Sequence, residues 1–371
     1  MRTNSGRIIS SSTLPIQRTV GRRPTIGSAI KGMRFQSLLS KILVLALLSA
    51  GAVMVLMPLV WMLSTSLKSK SMSTEFPPRW IPMDAKRVEI EGKECFIYAI
   101  PVDGETRELA LLQKEGPVGI FVNPDNLDER YELEVQAGER VYEVRLHWEN
   151  YARAMTARPF DRYAVNSLMF VGFSTVGTVL SCTLVAYGFA RFRAKGLGVL
   201  FLLLLSTIML PGQVTLIPQF VLFKEIGWYD TLLPLIVPAF FANAWNVFLL
   251  RQYFMTLPLE LDDAARIDGC GPMAILWYVI LPQSIPAMAT VAIFHSLWAW
   301  NDFYYPLIYL QSDAKYTVSL GLQLFNSAYG GGKDMTGMMA ASTVVLLPSI
   351  LIFLFAQRLF IQGVVVSGIK G

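Results

Sequence analysis

Six stretches of the chain read apolar almost without a break. Residues 42–67, 164–190, 197–223, 231–250 and 335–357 hold no Lys, Arg, Asp or Glu, and residues 283–311 hold only Asp302. A helix crosses a bilayer in about 20 apolar residues, so each run is long enough to span one. Backbone polar groups within lipid need partners in their own segment, which makes these runs helices. The predicted fold is an all-α polytopic membrane protein of about six transmembrane helices.

Between the first two runs the pattern changes. Residues 68–162 are hydrophilic, and part of the segment alternates polar and apolar positions with a period of two. YELEV (131–135) and VYEVRL (141–146), joined by QAGER, read as a β-hairpin, and VEIEGKECFIYAI (88–100) reads as another that turns at Glu91-Gly92. A small β-rich extracytoplasmic insertion over 84–148 is therefore expected between helices 1 and 2. It is either a decoration that a long loop tolerates or a docking surface for a partner protein.

Charge changes the picture in one respect. The net charge is +5, but residues 1–41 hold eight Lys or Arg and no acid, leaving 24 basic against 27 acidic residues elsewhere. Positive charge beside a span marks the cytoplasmic side. Arg191, Arg193 and Lys195, between the second and third runs, agree with a cytoplasmic N-terminus, and an even span count makes the C-terminus cytoplasmic too. The arm also has the composition of an organelle transit peptide. It lacks the aromatics that a nucleic-acid arm would interleave with its charges, so no nucleic-acid partner is expected. The insertion is acidic, with 15 Asp or Glu against eight Lys or Arg. Cys95, Cys182 and Cys270 are too few and too scattered for a disulfide framework or a metal site.

The predicted organisation is a basic arm over 1–41, a first transmembrane helix over 42–67, and an extracytoplasmic segment over 68–162. A five-helix core over 163–362 and a tail over 363–371 come next. The core contains one long inside loop, residues 251–282. Pro258 suits a first helical turn, and Glu260, Asp262 and Asp263 suit the positive end of the helix dipole. Leu261, Ala264 and Ala265 share a shallow face that another protein could approach. Asp268-Gly269 makes a turn, and Pro272 begins a second helix that leads to Pro282 at the mouth of the next span. A surface helix that merely joins two spans would look the same.

This loop resembles the EAA motif of the permease subunits of ATP-binding-cassette importers. In that pattern Glu-Ala-Ala precedes a glycine, an isoleucine and Leu-Pro at fixed spacing. Here Asp263-Ala264-Ala265, Gly269, Val279 and Leu281-Pro282 occupy those positions, with Asp for Glu and Val for Ile. ARIDG (265–269), WAWNDFYYPLIYL (298–310), YTVSLGL (316–322) and GVVVSGIKG (363–371) are similar to the carbohydrate-importer, maltose-type branch. The resemblance covers residues 42–80 and 147–371 and leaves out the acidic insertion.

The resemblance implies a permease subunit in the cell membrane that moves a sugar or sugar-derived solute inward and is not itself an enzyme. Its implied partners are a dimer of ATPase subunits, a second homologous permease, an extracytoplasmic solute-binding protein and membrane lipid. ATP and magnesium would be held by the ATPase. This chain has no phosphate loop of its own, since in GGGKD Asp334 stands where Ser or Thr belongs. Asp263, Ala264, Ala265, Asp268, Gly269, Leu281 and Pro282 would couple to the ATPase, with residues 363–371 as a second contact. Residues 312–334 would reach toward the binding protein, or form a flexible linker.

Trp298, Asn301, Asp302 and Tyr305 are candidates for the solute path, since rings stack on sugar C–H faces and polar groups bond hydroxyls. An aromatic belt at the outer headgroup level is the competing reading. His295 is expected to pack against or bridge to another helix rather than relay protons. A secondary transporter driven by ions would carry ionisable residues along several spans, where only Asp302 occurs here. A membrane-anchored binding or assembly protein would not need six spans.

Overall fold

A computed structural model describes residues 26–75, 79–90, 92–102, 105–323, 325 and 334–368, with backbone alone for 26–39 and 358–368. The basic arm before Ile26, the glycines 330–332 and the last three residues lie outside the described residues. The chain divides into two units, residues 1–59 and 60–371.

In the first unit the described residues form most of helix α1 (Ile26–Ser66). From Ser40 to Pro58 it is strongly apolar and every residue is exposed. A helix that is apolar on every side is built for lipid.

The second unit contains the end of α1, a β-rich insertion and the remaining helices. Strands β1 (Met83–Ala85) and β8 (Tyr142–Val144) pair antiparallel as a two-stranded stalk. Beyond it, β2 (Arg87–Ile90), β3 (Lys93–Val102), β4 (Glu105–Glu115), β5 (Val118–Asn123) and β6 (Asn126–Glu134) form an antiparallel meander, with β7 (Glu139–Arg140) paired to β3. Tyr98, Ile100, Leu109 and Phe121 form its buried face. The expected hairpin through Glu91-Gly92 is there, with Ile90 opposite Lys93 and Gly92 at φ +75°. The other expected hairpin is not. Tyr131–Leu133 pairs with β5, and 139–144 is split between β3 and the stalk. Alternation identified these strands but could not identify their partners.

The helices come after it: α2 (Glu149–Thr156), α3 (Phe160–Arg191), α4 (Leu197–Ser206), α5 (Gly212–Glu225), α6 (Leu233–Ile236) and α7 (Ala244–Thr256). Then come α8 (Glu260–Ile267), α9 (Pro272–Ile275), α10 (Leu281–Asn301), α11 (Tyr304–Tyr309), α12 (Val318–Gln323) and α13 (Met335–Gly368). Five helices among the described residues are long and apolar enough to cross a membrane. A sixth candidate is the pair α4/α5, bent by 95°. Pro211, which lacks an N–H and pushes Leu210 into extended backbone, sits at that bend.

Two other expected spans are broken as well. The run 231–250 becomes α6, a 3-10 turn and α7, with Ala242 at φ +56° between them. α3 stabilises the break: Ser181 Oγ donates to the Ala239 carbonyl and accepts from the Ala242 N–H, both at 3.1 Å. Gly177 lets the Phe240 ring lie against α3, since a Cβ there would sit 2.6 Å from it. Because α7 continues to Thr256, the linker to the next helix is shorter than the predicted 251–282.

The run 283–311 is likewise interrupted. α10 stops at Asn301, and Asp302 lies between helices rather than inside a span. Pro282 does not open the span either, because helix runs from Pro272 to Asn301. A π turn at Leu276–Ile280 widens the helix just before Pro282, where an ordinary α turn would meet its ring.

Two buried clusters flank α3. One gathers Phe160, Tyr163, Phe170, Trp300, Tyr309 and Val318. The other gathers Cys182, Tyr187, Val247, Phe254, Ile275 and Ile280. Near the first cluster, Asp230 ties two loops together. Its carboxylate accepts from the Gln311 and Ser312 N–H groups at 2.9 Å and from Lys315 Nζ at 2.9 Å. Burial alone would raise its pKa, but these donors hold it well below the usual carboxylate range. The first part of the 312–334 loop is thereby built into the fold.

Candidate functional sites

The short amphipathic helix α8 hangs between α7 and the long helix that begins at Pro272. It begins at Glu260, so Pro258 lies before its first turn rather than in it, and Glu260, Asp262 and Asp263 occupy that turn, where the helix dipole favours acids. Gly269 at φ +84° turns the chain back, a conformation that suits glycine. The helix is sharply two-sided. Asp262 and Ala265 are buried, while Asp263, Ala264, Ile267 and Asp268 are exposed. Ala264 and Ala265 therefore do not form one docking face, because Ala265 packs into the second cluster. Leu281 is half-buried and Pro282 exposed, both beyond α9 and the π turn.

Asp262 faces Arg191 at the end of α3. The Arg191 Nε–Asp262 Oδ2 separation is 3.5 Å, and the two side chains are 2% and 3% exposed. Arg191 Nη2 also donates to the Leu257 carbonyl at 3.1 Å. Arg191, read from sequence as a membrane-topology charge, thus sits in a buried ion pair that holds the loop against α3. The exposed charges of that turn are Arg193 and Lys195.

The second site is a chamber of about 530 Å³ between α3, α5, α6, α7, α10 and α11. Trp298, Asp302 and Tyr305 line it, and Asn301 does not. Asn301 is exposed and donates to the Leu297 carbonyl of its own helix at 2.8 Å. Rings form one wall, with centroids 6.2 Å apart for Trp298–Tyr305 and 6.5 Å for Tyr305–Tyr309, the latter pair stacked at 8°. Asp302 Oδ1 accepts from the Tyr304 and Tyr305 N–H groups at 3.1 and 3.3 Å, so it caps α11. His295 bridges to α3, with Nε2 3.0 Å from Ser174 Oγ and Nδ1 3.3 Å from Thr178 Oγ1.

Gln219, Asn243, Asn246 and Tyr309 also line the chamber and were missed by sequence reasoning. A signal was available for two of them. Asn243 and Asn246 are polar residues inside an apolar run, where polar groups are expensive and tend to face a cavity or a partner.

The family model "binding-protein-dependent transport system inner membrane component" matches residues 177–366, just over half of the chain. The chain belongs to this family. The match contains α8, Gly269 and all of the chamber wall except Phe170, and leaves out the β insertion. Family relatives agree. The arabinooligosaccharides transport system permease protein of Bacillus subtilis is 37% identical over 57% of this chain and 74% of its own length. The sn-glycerol-3-phosphate transport system permease protein of Yersinia pestis is 32% identical over 56% and 74%. A crystal structure of a bacterial ABC transporter that imports the acidic polysaccharide alginate shares the fold, with a TM-score of 0.62. It is 18% identical, over 87% of this chain and 97% of that one. The chain is an inner-membrane transport component of the ABC importer type.

Proposed function

We propose that this chain is one of two homologous permease subunits that carry a sugar or sugar-derived solute inward, with ATP and magnesium held by a separate ATPase dimer. The observation that carries this reading is the two-sided α8. Its inner side is fixed to α3 by the Arg191–Asp262 pair, and its outer side presents Asp263, Ala264 and Asp268 beside the Gly269 turn. A rigid exposed helix anchored to a span can take a push from a soluble partner and pass it on. Asp263, Ala264, Asp268 and Gly269 are assigned to ATPase contact. Ala265, Leu281 and Pro282 seat and orient the helix.

In this reading the α8 loop faces the cytoplasm, along with both termini. The β insertion and the 312–334 loop lie outside, where a solute-binding protein delivers its cargo. Trp298, Asp302 and Tyr305 belong to the solute path. The carbohydrate assignment is supported by the ring-lined chamber and by the relative named for arabino-oligosaccharides.

The test is Gly269→Val in the reconstituted transporter. A β-branched residue at φ +84° is strained by roughly 1–3 kcal/mol and displaces the turn. ATP hydrolysis should persist without stimulation by loaded binding protein, and uptake should fall at least tenfold. Normal stimulation and uptake would refute the assignment.

A further inference from the structure

The stalk of the insertion is two-sided. β1 and β8 set Met83 opposite Val144 and Asp84 opposite Glu143, and the pairing runs on one step, with the Arg145 N–H donating to the Pro82 carbonyl at 3.3 Å. Successive side chains along a strand point to opposite sides. Val144 and Leu146 therefore share a side with Met83, while Glu143 and Arg145 share the other with Asp84. The apolar side is open: Val144 is 63% exposed, and Leu146 and Ile81 are exposed as well. Among the described residues, none of these side chains joins a buried cluster.

Contacts at the base of the stalk identify what covers that side. The apolar surface of α1 stays exposed as far as Val60 and Leu63, near its end at Ser66. Ser64 Oγ donates to the Trp80 carbonyl, and the Trp80 ring packs edge-on against Trp61 with centroids 5.0 Å apart. The His147 N–H donates to the Leu67 carbonyl at 3.0 Å. Trp148 stacks on Tyr151, whose hydroxyl lies 2.8 Å from Ser66 Oγ. Both strands thus start at the level where α1 leaves the bilayer, each with an exposed tryptophan there. Tryptophan favours that level, where its ring can sit among acyl chains and its N–H can reach the headgroups. An element that is apolar on one side, charged on the other and continuous with a lipid-facing helix suits the membrane interface.

We propose that the apolar side of the stalk, formed by Ile81, Val144 and Leu146 with Trp80 and Trp148 at its base, lies in the headgroup–acyl boundary of the leaflet from which α1 emerges. Lipid, rather than another protein, then holds the stem of the insertion down. That leaflet is the outer one in the orientation proposed above, but the contact itself does not depend on the orientation.

The experiment uses the full transporter in phosphatidylcholine nanodiscs. Val144→Cys, Leu146→Cys and Glu143→Cys are each made in a Cys270→Ser background, since Cys95 and Cys182 are buried, and labelled with an environment-sensitive thiol dye. The Cys270→Ser complex labelled in parallel supplies the background. A lipid spin-labelled near the headgroup end of its acyl chain should quench the dye at 144 and 146, with a blue-shifted emission, and spare the dye at 143. Aqueous iodide should show the reverse order.

Iodide quenching at all three positions without lipid quenching would leave the stalk in water and overturn the contact. Protection of 144 and 146 from both quenchers would mean that a protein subunit covers them, which also overturns it. Nanodiscs expose both faces, so neither result depends on sidedness. Sidedness is a separate measurement, and its failure would sink the orientation and leave the lipid contact standing.

Discussion

Arg191 and Asp262 carry opposite charges in a place where neither could stand alone. The two side chains are almost fully buried, yet Arg191 Nε and Asp262 Oδ1 lack hydrogen-bond partners. A buried pair gains little over apolar packing, because desolvation offsets most of the attraction, but breaking it leaves a bare charge inside. Asp262→Ala should therefore destabilise the chain by about 3–5 kcal/mol, whereas Arg191→Met combined with Asp262→Leu should regain most of that loss. Thermal unfolding of the detergent-solubilised complex reads both. Equal unfolding temperatures for wild type and the single variant would show that the charges are solvated. Asp263, one residue on, is 68% exposed by side chain and pairs with Arg266, so Asp263→Ala in the chain purified without its ATPase makes a near-neutral control. From sequence, both acids looked like members of one first-turn cluster. Facing separates them, and facing is set by α3 packing across the helix, a contact 71 residues away in the chain.

At the scale of elements, the insertion is attached by its stalk alone in strand pairing. β1 and β8 hold Ala85 opposite Tyr142, and the meander beyond them has its own buried cluster. Below that point other contacts join the end of α1 to α2, and the stalk to the approach to α2. The Asn150 side chain donates to the Ser66 and Lys68 carbonyls at 2.8 Å, and His147 Nε2 lies 2.7 Å from Asp84 Oδ2. Replacing residues 86–141 with Asn-Gly should close the stalk as a two-residue hairpin. The trimmed chain should still assemble with its ATPase, and its unfolding temperature should stay within a few degrees of wild type. Loss of assembly would mean that the meander helps hold the helices.

The legible and illegible parts divide along the same line. Period-two alternation revealed the strands of 84–148, and apolar runs revealed the helices, because both patterns are local. The breaks at Pro211, Ala242 and Asp302 were not legible. Two of them rest on a partner elsewhere for freed backbone groups, as Ser181 does for Ala242 and Ser319 for the Asp302 carbonyl, and Pro211 is one of several prolines in the apolar runs, of which Pro58, Pro218, Pro286 and Pro348 lie inside helices. In the chamber, WAWNDFYYPL displayed the rings and Asp302, but only the break after Asn301 sends Asn301 outward and leaves Asp302 on the wall.

At the scale of the whole molecule, the bent pair α4/α5 decides which way the protein faces. Between the insertion and α8 the chain passes through α3, the bent pair and the broken helix α6/α7. If the pair crosses the membrane as one span, three crossings put β6 and α8 on opposite sides. If it dips in and returns, two crossings put them on the same side. The importer reading requires the first arrangement, since a binding protein and an ATPase cannot share a side. Arg193 and Lys195, exposed after α3, favour a cytoplasmic turn there but do not constrain the path of α4/α5. Cysteine labelling measures it directly. Cys95 and Cys182 are buried, so Cys270→Ser leaves a quiet background. In that background Asp128→Cys on β6 and Asp268→Cys after α8 place one exposed thiol at each end of the path. A membrane-impermeant maleimide should label position 128 in intact cells and position 268 only after lysis. Bound ATPase should then shield 268 but not 128. Labelling of both positions from outside would make the bent pair re-entrant and remove α8 from the ATPase's reach.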